Sequence, residues 1–229
     1  MALQPETSAS DIVRGLAGML AVMALVLALA AWSLSWWQAW AFLATFGGCS
    51  VLLVIDLARR DPALLRRRMR SGPAAEKESS QKLIQAINGA GFLGLLIVPG
   101  LDHRFGWSSV PLEAVIAGHV LIVACYLGWA MVFRDNTFAF STIEVEAGQR
   151  VVDTGTYAFV RHPMYATGLP LFVGIPLALG SYWGLIVSAV LLAGIVARLL
   201  HEERFLAARL PGYADYMRRV RFRLVPGVW

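Results

Sequence analysis

Thr154-Gly155-Thr156-Tyr157-Ala158-Phe159-Val160-Arg161-His162-Pro163-Met164-Tyr165 marks the point where polar and basic residues give way to a long apolar run. Pro163 biases His162 away from the α region, so the backbone just before the proline is expected to be extended. Proline also suits the first position of a helix, where its missing N–H would be unpaired in any case. The stretch therefore predicts a loop that delivers Arg161 and His162 to the mouth of a helix entering a membrane. A plainer reading stands beside it, with Arg161 snorkelling to head groups and His162 serving only as a polar cap.

The run that begins at Met164 is one of several. Apolar residues make up 58 % of the 229-residue chain and charged residues 15 %, with a mean hydropathy of +0.61. Soluble domains carry roughly 25 % charged residues, so this chain has too little polar surface to cover a water-exposed globule. It reads as an all-α integral membrane protein. The net charge of +5 does not point to nucleic acid, because the basic residues lie between and after the apolar runs. That placement matches anchoring at an anionic leaflet. Cys49 and Cys125 lie inside apolar runs and offer neither a disulfide framework nor metal-ligand spacing, so they are expected to pack.

A run of about 20 apolar residues covers the hydrocarbon core as a helix. The first, Gly15 to about Leu34, lacks the basic start and small-residue cleavage site of a signal peptide and is expected to remain as a span. Trp36, Trp37 and Trp40 follow as interface markers, then a second span from about Ala39 to Leu57 with Gly47 and Gly48 available for close helix contact. Residues 58 to 82 hold eight basic side chains against three acidic ones. Such a bias places the segment in the cytoplasm, as a topology signal with lipid contact. A third span, about Leu83 to Leu101, presents Gly89, Gly91 and Gly94 for packing. His103 in the loop after it is expected to be solvated. A fourth span runs from about Pro111 to Phe133 and carries His119, expected to hydrogen-bond a neighbouring helix. The stretch from Met164 to Leu200 is too long for one helix, and Gly180-Ser181-Tyr182-Trp183-Gly184 splits it into two short segments. Five to six transmembrane helices in hairpins result, with both termini cytoplasmic.

This divides the chain into residues 1–133, four spans in two hairpins, and residues 134–229. The second part comprises a cap loop of mixed charge, a short helical hairpin and a C-terminal cytosolic cap. Ser141 to Val145 alternates weakly and suggests a partly extended cap. In the tail, Tyr213, Tyr216 and Val220 recur at helical spacing opposite Arg218, Arg219, Arg221 and Arg223. They predict an amphipathic basic helix on the membrane surface. The two caps flank the hairpin and bring Arg161, His162, Tyr165, Glu202 and Glu203 to the rim of one shallow pocket. Adjacent carboxylates at a membrane helix end need a bound cation or an arginine such as Arg161. No glycine-rich phosphate loop, HExxH zinc pair or Gly-x-Ser-x-Gly nucleophile motif is present.

Thr-Gly-x-Tyr-x-x-x-Arg-His-Pro-x-Tyr, followed by Glu-Glu-x-x-Leu and Gly-x-x-Tyr-x-x-Tyr-x-x-x-Val, resembles the isoprenylcysteine carboxyl methyltransferase family. More distantly it is similar to the membrane phospholipid N-methyltransferases. The resemblance covers roughly the last 95 residues; the first two hairpins match only in hydrophobicity. It implies an S-adenosylmethionine site in a cytosolic pocket closed by the C-terminal segment, with a lipophilic or prenylated methyl acceptor entering from the bilayer. Residue by residue it places Tyr157, Val160, Arg161, His162, Pro163, Tyr165, Glu202 and Glu203 around the cofactor. It nominates Arg134 and Arg161 to orient the acceptor, and implies no metal. Leu210-Pro211-Gly212 stands where the family often has Phe-Gly.

A carboxylate acceptor is ionised at neutral pH and needs no general base, and Arg134 or Arg161 could hold it by a bidentate pair. An amine acceptor would have to lose a proton, with an acidic residue or His162 as the candidate base. The absence of an obvious dedicated base leans towards the carboxylate. Two other classes compete: an NADPH-dependent sterol-type membrane reductase, which shares an Arg-His-Pro-x-Tyr-like motif, and a non-catalytic membrane protein.

Overall fold

In a computed structural model of the chain, residues 9–69, 79–137 and 150–229 are described. They form eight helices and no strand: α1 (Ala9–Ala31), α2 (Trp37–Arg60), α3 (Pro62–Met69), α4 (Ser79–Phe105), α5 (Leu112–Asp135), α6 (Pro163–Ala178), α7 (Gly184–Arg209) and α8 (Tyr213–Arg219). A short 3-10 turn at Gly155–Ala158 precedes α6. The all-α membrane architecture expected from composition is thus what is observed. Four helices are long and apolar enough to cross a bilayer: α1 (from Ser10), α2, α5 and α7. The apolar α6 is shorter, at 16 residues. The 27-residue α4 lies beside α1 and α7, with Gly91 and Gly94 against Leu191 and Val187, and Gly100 against Ala30. Large apolar side chains such as Leu25, Leu29, Leu52, Ile116, Val120, Leu127 and Val190 point outwards, as lipid-facing residues do.

Three tight turns, after α1, α4 and α6, gather at one end. Asp102, at the foot of α4, is almost wholly buried. Its carboxylate accepts from the Ser108 backbone N–H (2.7 Å) and hydroxyl (2.6 Å), and from the Ser181 hydroxyl in the α6–α7 turn. The buried Trp36, from the α1–α2 turn, stacks on His103 at 4.9 Å, so His103 is exposed yet partnered. Gly180 supplies the left-handed residue that lets α6 turn into α7 (φ +73°). Around this end Trp32, Trp37, Trp40, Trp107 and Trp183 are exposed, the ring of aromatics expected at a membrane–water boundary.

Between the ends, α5 and α6 approach backbone to backbone. A Cβ placed on Gly118 would lie 2.4 Å from the Ala178 nitrogen and 2.7 Å from the Gly174 carbonyl oxygen. Polar pairs cross between α2 and α5: Thr45 with His119 Nδ1 (3.0 Å), and Ser50 with Tyr126 (2.7 Å). Each satisfies groups that lipid would leave unpaired. Cys125 packs in the core, and Cys49 is partly buried.

The opposite end collects the polar segments. There the region read as a basic topology signal contains a folded helix. Asp61 caps α3 through its Oδ1, which accepts from the Leu64 N–H (2.9 Å), and Pro62 occupies the first position. Leu64 and Leu65 are buried against Leu57 and Phe133. The weak alternation read at Ser141–Val145 lies outside the described residues.

Candidate functional site

The opening stretch folds largely as its chemistry dictates. His162 is non-helical (φ −125°, ψ 64°) and Pro163 begins α6. Gly155 takes φ +59°, where a Cβ would lie 2.4 Å from the Asp135 carboxyl carbon; the same carboxylate accepts from the Thr156 N–H at 2.7 Å. The turn is therefore pinned to the end of α5, and it sets the direction in which Tyr157 to His162 run.

Arg161 and His162 meet Glu203 across the hairpin. Glu203 Oε1 accepts from Arg161 Nε at 2.6 Å and lies 3.2 Å from His162 Nε2, while Oε2 accepts from Arg223 Nε at 2.9 Å. Arg161 and Glu203 are only 7 % and 4 % exposed. Arg161 Nη1 also donates to the carbonyls of Val220 (3.0 Å) and Arg221 (3.1 Å). Two backbone bonds run alongside, from the Arg161 N–H to the Phe222 carbonyl (2.9 Å) and from the His162 N–H to the Arg223 carbonyl (3.0 Å). Arg223 stacks over the Trp229 ring (4.9 Å), and the Trp229 carbonyl accepts the N–H groups of Arg223 and Leu224. The chain after α8 is thus clipped onto the Arg161–His162 segment.

This corrects the reading of the tail as one amphipathic helix. Its helical part stops at Arg219, with Tyr213 and Tyr216 buried against Val151, Leu206 and Leu210. Arg223 therefore faces inwards rather than towards solvent. Tyr216 donates to the Tyr157 carbonyl (2.9 Å) and lies 3.4 Å from that of Val160, joining α8 to the cap.

Glu202, one residue round the helix, serves a second group. Tyr165 donates to Glu202 Oε2 at 2.8 Å and receives from Arg198 Nε at 3.1 Å. Arg198 is buried, one turn deeper in α7. Sequence reading passed over it, although a charged residue inside an apolar run, four positions before a glutamate, is a signal by itself. Arg68 of α3 was missed as well. Its Nη1 lies 3.2 Å from Met164 Sδ, and its guanidinium sits 4.9 Å from the centre of the Phe133 ring. Burial pulls this guanidinium below its usual range; Tyr165 and Tyr157 oppose the shift and Arg198 adds to it. Burial pushes the Tyr157 hydroxyl up to about 12, against a hydrogen bond to Asn136 and with the nearby Glu202 adding.

Arg134 is held elsewhere. Its Nη2 lies 3.9 Å from Asp56 Oδ1 on α2, and the side chain is half-exposed at the rim. Two buried hydroxyl oxygens beside the site, Tyr213 Oη and Thr156 Oγ1, have no hydrogen-bond partner among the described residues. Among the described residues no three of His, Cys, Asp and Glu gather as a metal site would require.

The site thus combines two carboxylates, several guanidiniums and a set of tyrosines at the polar end of a membrane hairpin. Residues 114–211, a little under half of the chain, are matched by the phospholipid methyltransferase family. The matched stretch contains α6, α7, most of α5 and the whole Thr154–Tyr165 segment. No curated protein matches the chain. The match supports a membrane methyltransferase, in the same broad group as the isoprenylcysteine enzymes.

Proposed function

We propose that the protein is an integral membrane methyltransferase that uses S-adenosylmethionine and acts on a lipid-linked acceptor, with its site on the cytoplasmic side. The observation that carries this reading is the paired arrangement on α7: Glu203 closed by Arg161, His162 and Arg223, and Glu202 on the Tyr165–Arg198 line. The residues fit the cofactor. Its ammonium and sulfonium are cationic, and Glu202 with the faces of Tyr157 and Tyr165 suits them. The buried hydroxyl oxygens of Tyr213 and Thr156, unpartnered among the described residues, suit a polar ligand.

In this reading the site residues fall into two groups. Both oxygens of Glu203 are taken by protein donors, so Glu203, Arg161 and His162 hold the cap onto the hairpin and shape one wall. Tyr157, Tyr165 and Glu202 face the cofactor, while Val160 and Pro163 set the backbone between the two groups. When bound, S-adenosylmethionine supplies a methyl group on a sulfonium, which departs as a neutral thioether. The protein's task is then to align the acceptor in line with that methyl and to exclude water. The clip of residues 222–223 onto residues 161–162 closes the aqueous side. The Tyr165 hydroxyl, fixed from both sides by Arg198 and Glu202, stiffens the floor. Arg134, on the rim beside Asp56, lies where an acceptor would arrive from the α2–α5 side.

A carboxylate acceptor fits a site rich in guanidiniums. The family match favours a second reading, in which the acceptor is the amine of a phospholipid and Glu202 takes its proton. Calorimetric titration of the detergent-purified protein with S-adenosylmethionine, its demethylated product and NADPH tests the proposal. Saturable heat with the first two is expected; binding of NADPH alone would overturn it in favour of a reductase. Radiolabelled methyl transfer to a farnesylcysteine analogue and to phosphatidylethanolamine then separates the two acceptors.

A further inference from the structure

Two helices measure the depth of the cap in the bilayer. At 16 residues α6 is about 24 Å long, and its far end turns beside the boundary aromatics Trp107 and Trp183, whose rings lie 6.0 Å apart. The hydrocarbon core is about 30 Å thick, so Pro163 stops short of the opposite boundary. The returning helix agrees. About twenty residues of α7 lead from Gly184 to Glu203, enough to cross the core and little more. Glu203 holds Arg161, His162 and Arg223, and the Phe222 and Arg223 carbonyls accept from the Arg161 and His162 N–H groups. The clip thus stands where acyl chains meet head groups.

Its side chains suit that level. Phe159 is 70 % and Val228 78 % exposed, with Phe222 and Val225 exposed between them in the chain that the clip holds. Residues 218–223 add four arginines and no acid. Arg223 turns in to Glu203, and Arg218 and Arg219 pair with Asp215 and Asp153. Arg221, exposed beside Phe222, has no acidic partner among the described residues. Apolar side chains next to cations are what an element lying in the head-group region presents to lipid.

We propose that the outer edge of the clip is a docking surface for an anionic leaflet, with Phe159, Phe222, Val225 and Val228 below the head groups and Arg221 on lipid phosphate. Lipid charge then sets how firmly the clip is held over the site. This surface goes beyond the methyltransferase reading and rests only on the placement of the helices in a membrane.

The test is hydrogen–deuterium exchange of the whole protein in nanodiscs of phosphatidylcholine, with and without about a quarter of the lipid as phosphatidylglycerol. Amides of residues 222–228 are expected to exchange more slowly in the anionic discs, roughly fivefold for each arginine engaged. Arg221→Gln should remove about one such factor. Val228→Asp should speed exchange several-fold in both discs. Both positions are exposed, so neither change should move the melting temperature in detergent. A fluorophore on Val228→Cys should be quenched by lipids carrying a nitroxide near the top of the acyl chain, beyond the signal of the wild-type chain labelled in parallel. Four results overturn the surface: equal exchange in both discs, an unquenched label, slowing confined to discs that hold two copies of the chain, or the same slowing from inorganic phosphate in neutral discs. The third would assign the edge to a second copy and the fourth to a small anion.

Discussion

Glu203→Gln is the most informative single change, because Glu203 is the knot between three segments. Its two oxygens accept from Arg161, His162 and Arg223. An amide keeps the shape, but it turns an N–H towards at least one of those donors and removes the acidic partner that Arg161 has among the described residues. The Arg161 side chain is only 6 % exposed, so water cannot take over. Breaking a buried ion pair by removing one partner costs about 3–5 kcal/mol. The Arg223 arm is partly exposed and adds less. The strain falls on the clip between residues 161–162 and 222–223, so the change is expected as local opening. About 3 kcal/mol corresponds to roughly a hundredfold faster amide exchange at Arg161 and His162, whose N–H groups donate to Phe222 and Arg223. Hydrogen–deuterium exchange in nanodiscs reads this directly, with Glu202→Gln as the comparison expected to leave those two amides protected. Unchanged exchange in Glu203→Gln would refute the assignment of Glu203 as the structural carboxylate.

Four further outcomes follow from the same geometry. Gly118→Ala forces a Cβ into the α6 backbone and should lower the melting temperature in detergent by several degrees, whereas Gly48→Ala, with open space around it, should leave it unchanged. Gly155→Ala puts a side chain at φ +59° and against Asp135, which should cost about 1–3 kcal/mol and loosen the cap, seen as faster proteolysis after residue 150. Asp61→Ala removes the α3 cap, worth about 1 kcal/mol, and should raise exchange at the Leu64 amide without altering that of α5. Tyr157 holds its proton in the folded state up to about 12 against an ordinary 10.0, so its contribution is complete below pH 10 and is lost as pH rises through about 12. Tyr157→Phe should therefore flatten part of the alkaline fall in thermal stability over that window.

The all-α membrane architecture was legible because the information is carried by run length and by the residues that interrupt the runs. Trp36–Trp40, Trp107 and Gly180–Gly184 mark the turns whichever way the helices rotate. The Arg161–Glu203 pairing was legible too, since adjacent glutamates at the end of a membrane helix demand a cation. Arg198 was overlooked because averaging hydropathy over a long run hides one charge, although its spacing to Glu202 was visible. Arg68 was hidden for the opposite reason. In a segment crowded with arginines, nothing in charge alone tells the inward side chain from its neighbours. Only the Asp-Pro-x-Leu-Leu cap and the two leucines indicate that a helix docks there. The reversal of Arg223 rests on backbone bonds between distant segments, which leave no periodic trace in the sequence.

The Asp102 knot has a mechanical consequence. With Ser108 and Ser181 bonded to one carboxylate, and Trp36 stacked on its neighbour His103, all three turns are fastened at a single point. Helices riveted together at one tip behave like the ribs of a folding fan. Small tilts about the rivet become the largest sideways displacements at the far tips, where Tyr165, Glu202 and Arg68 stand.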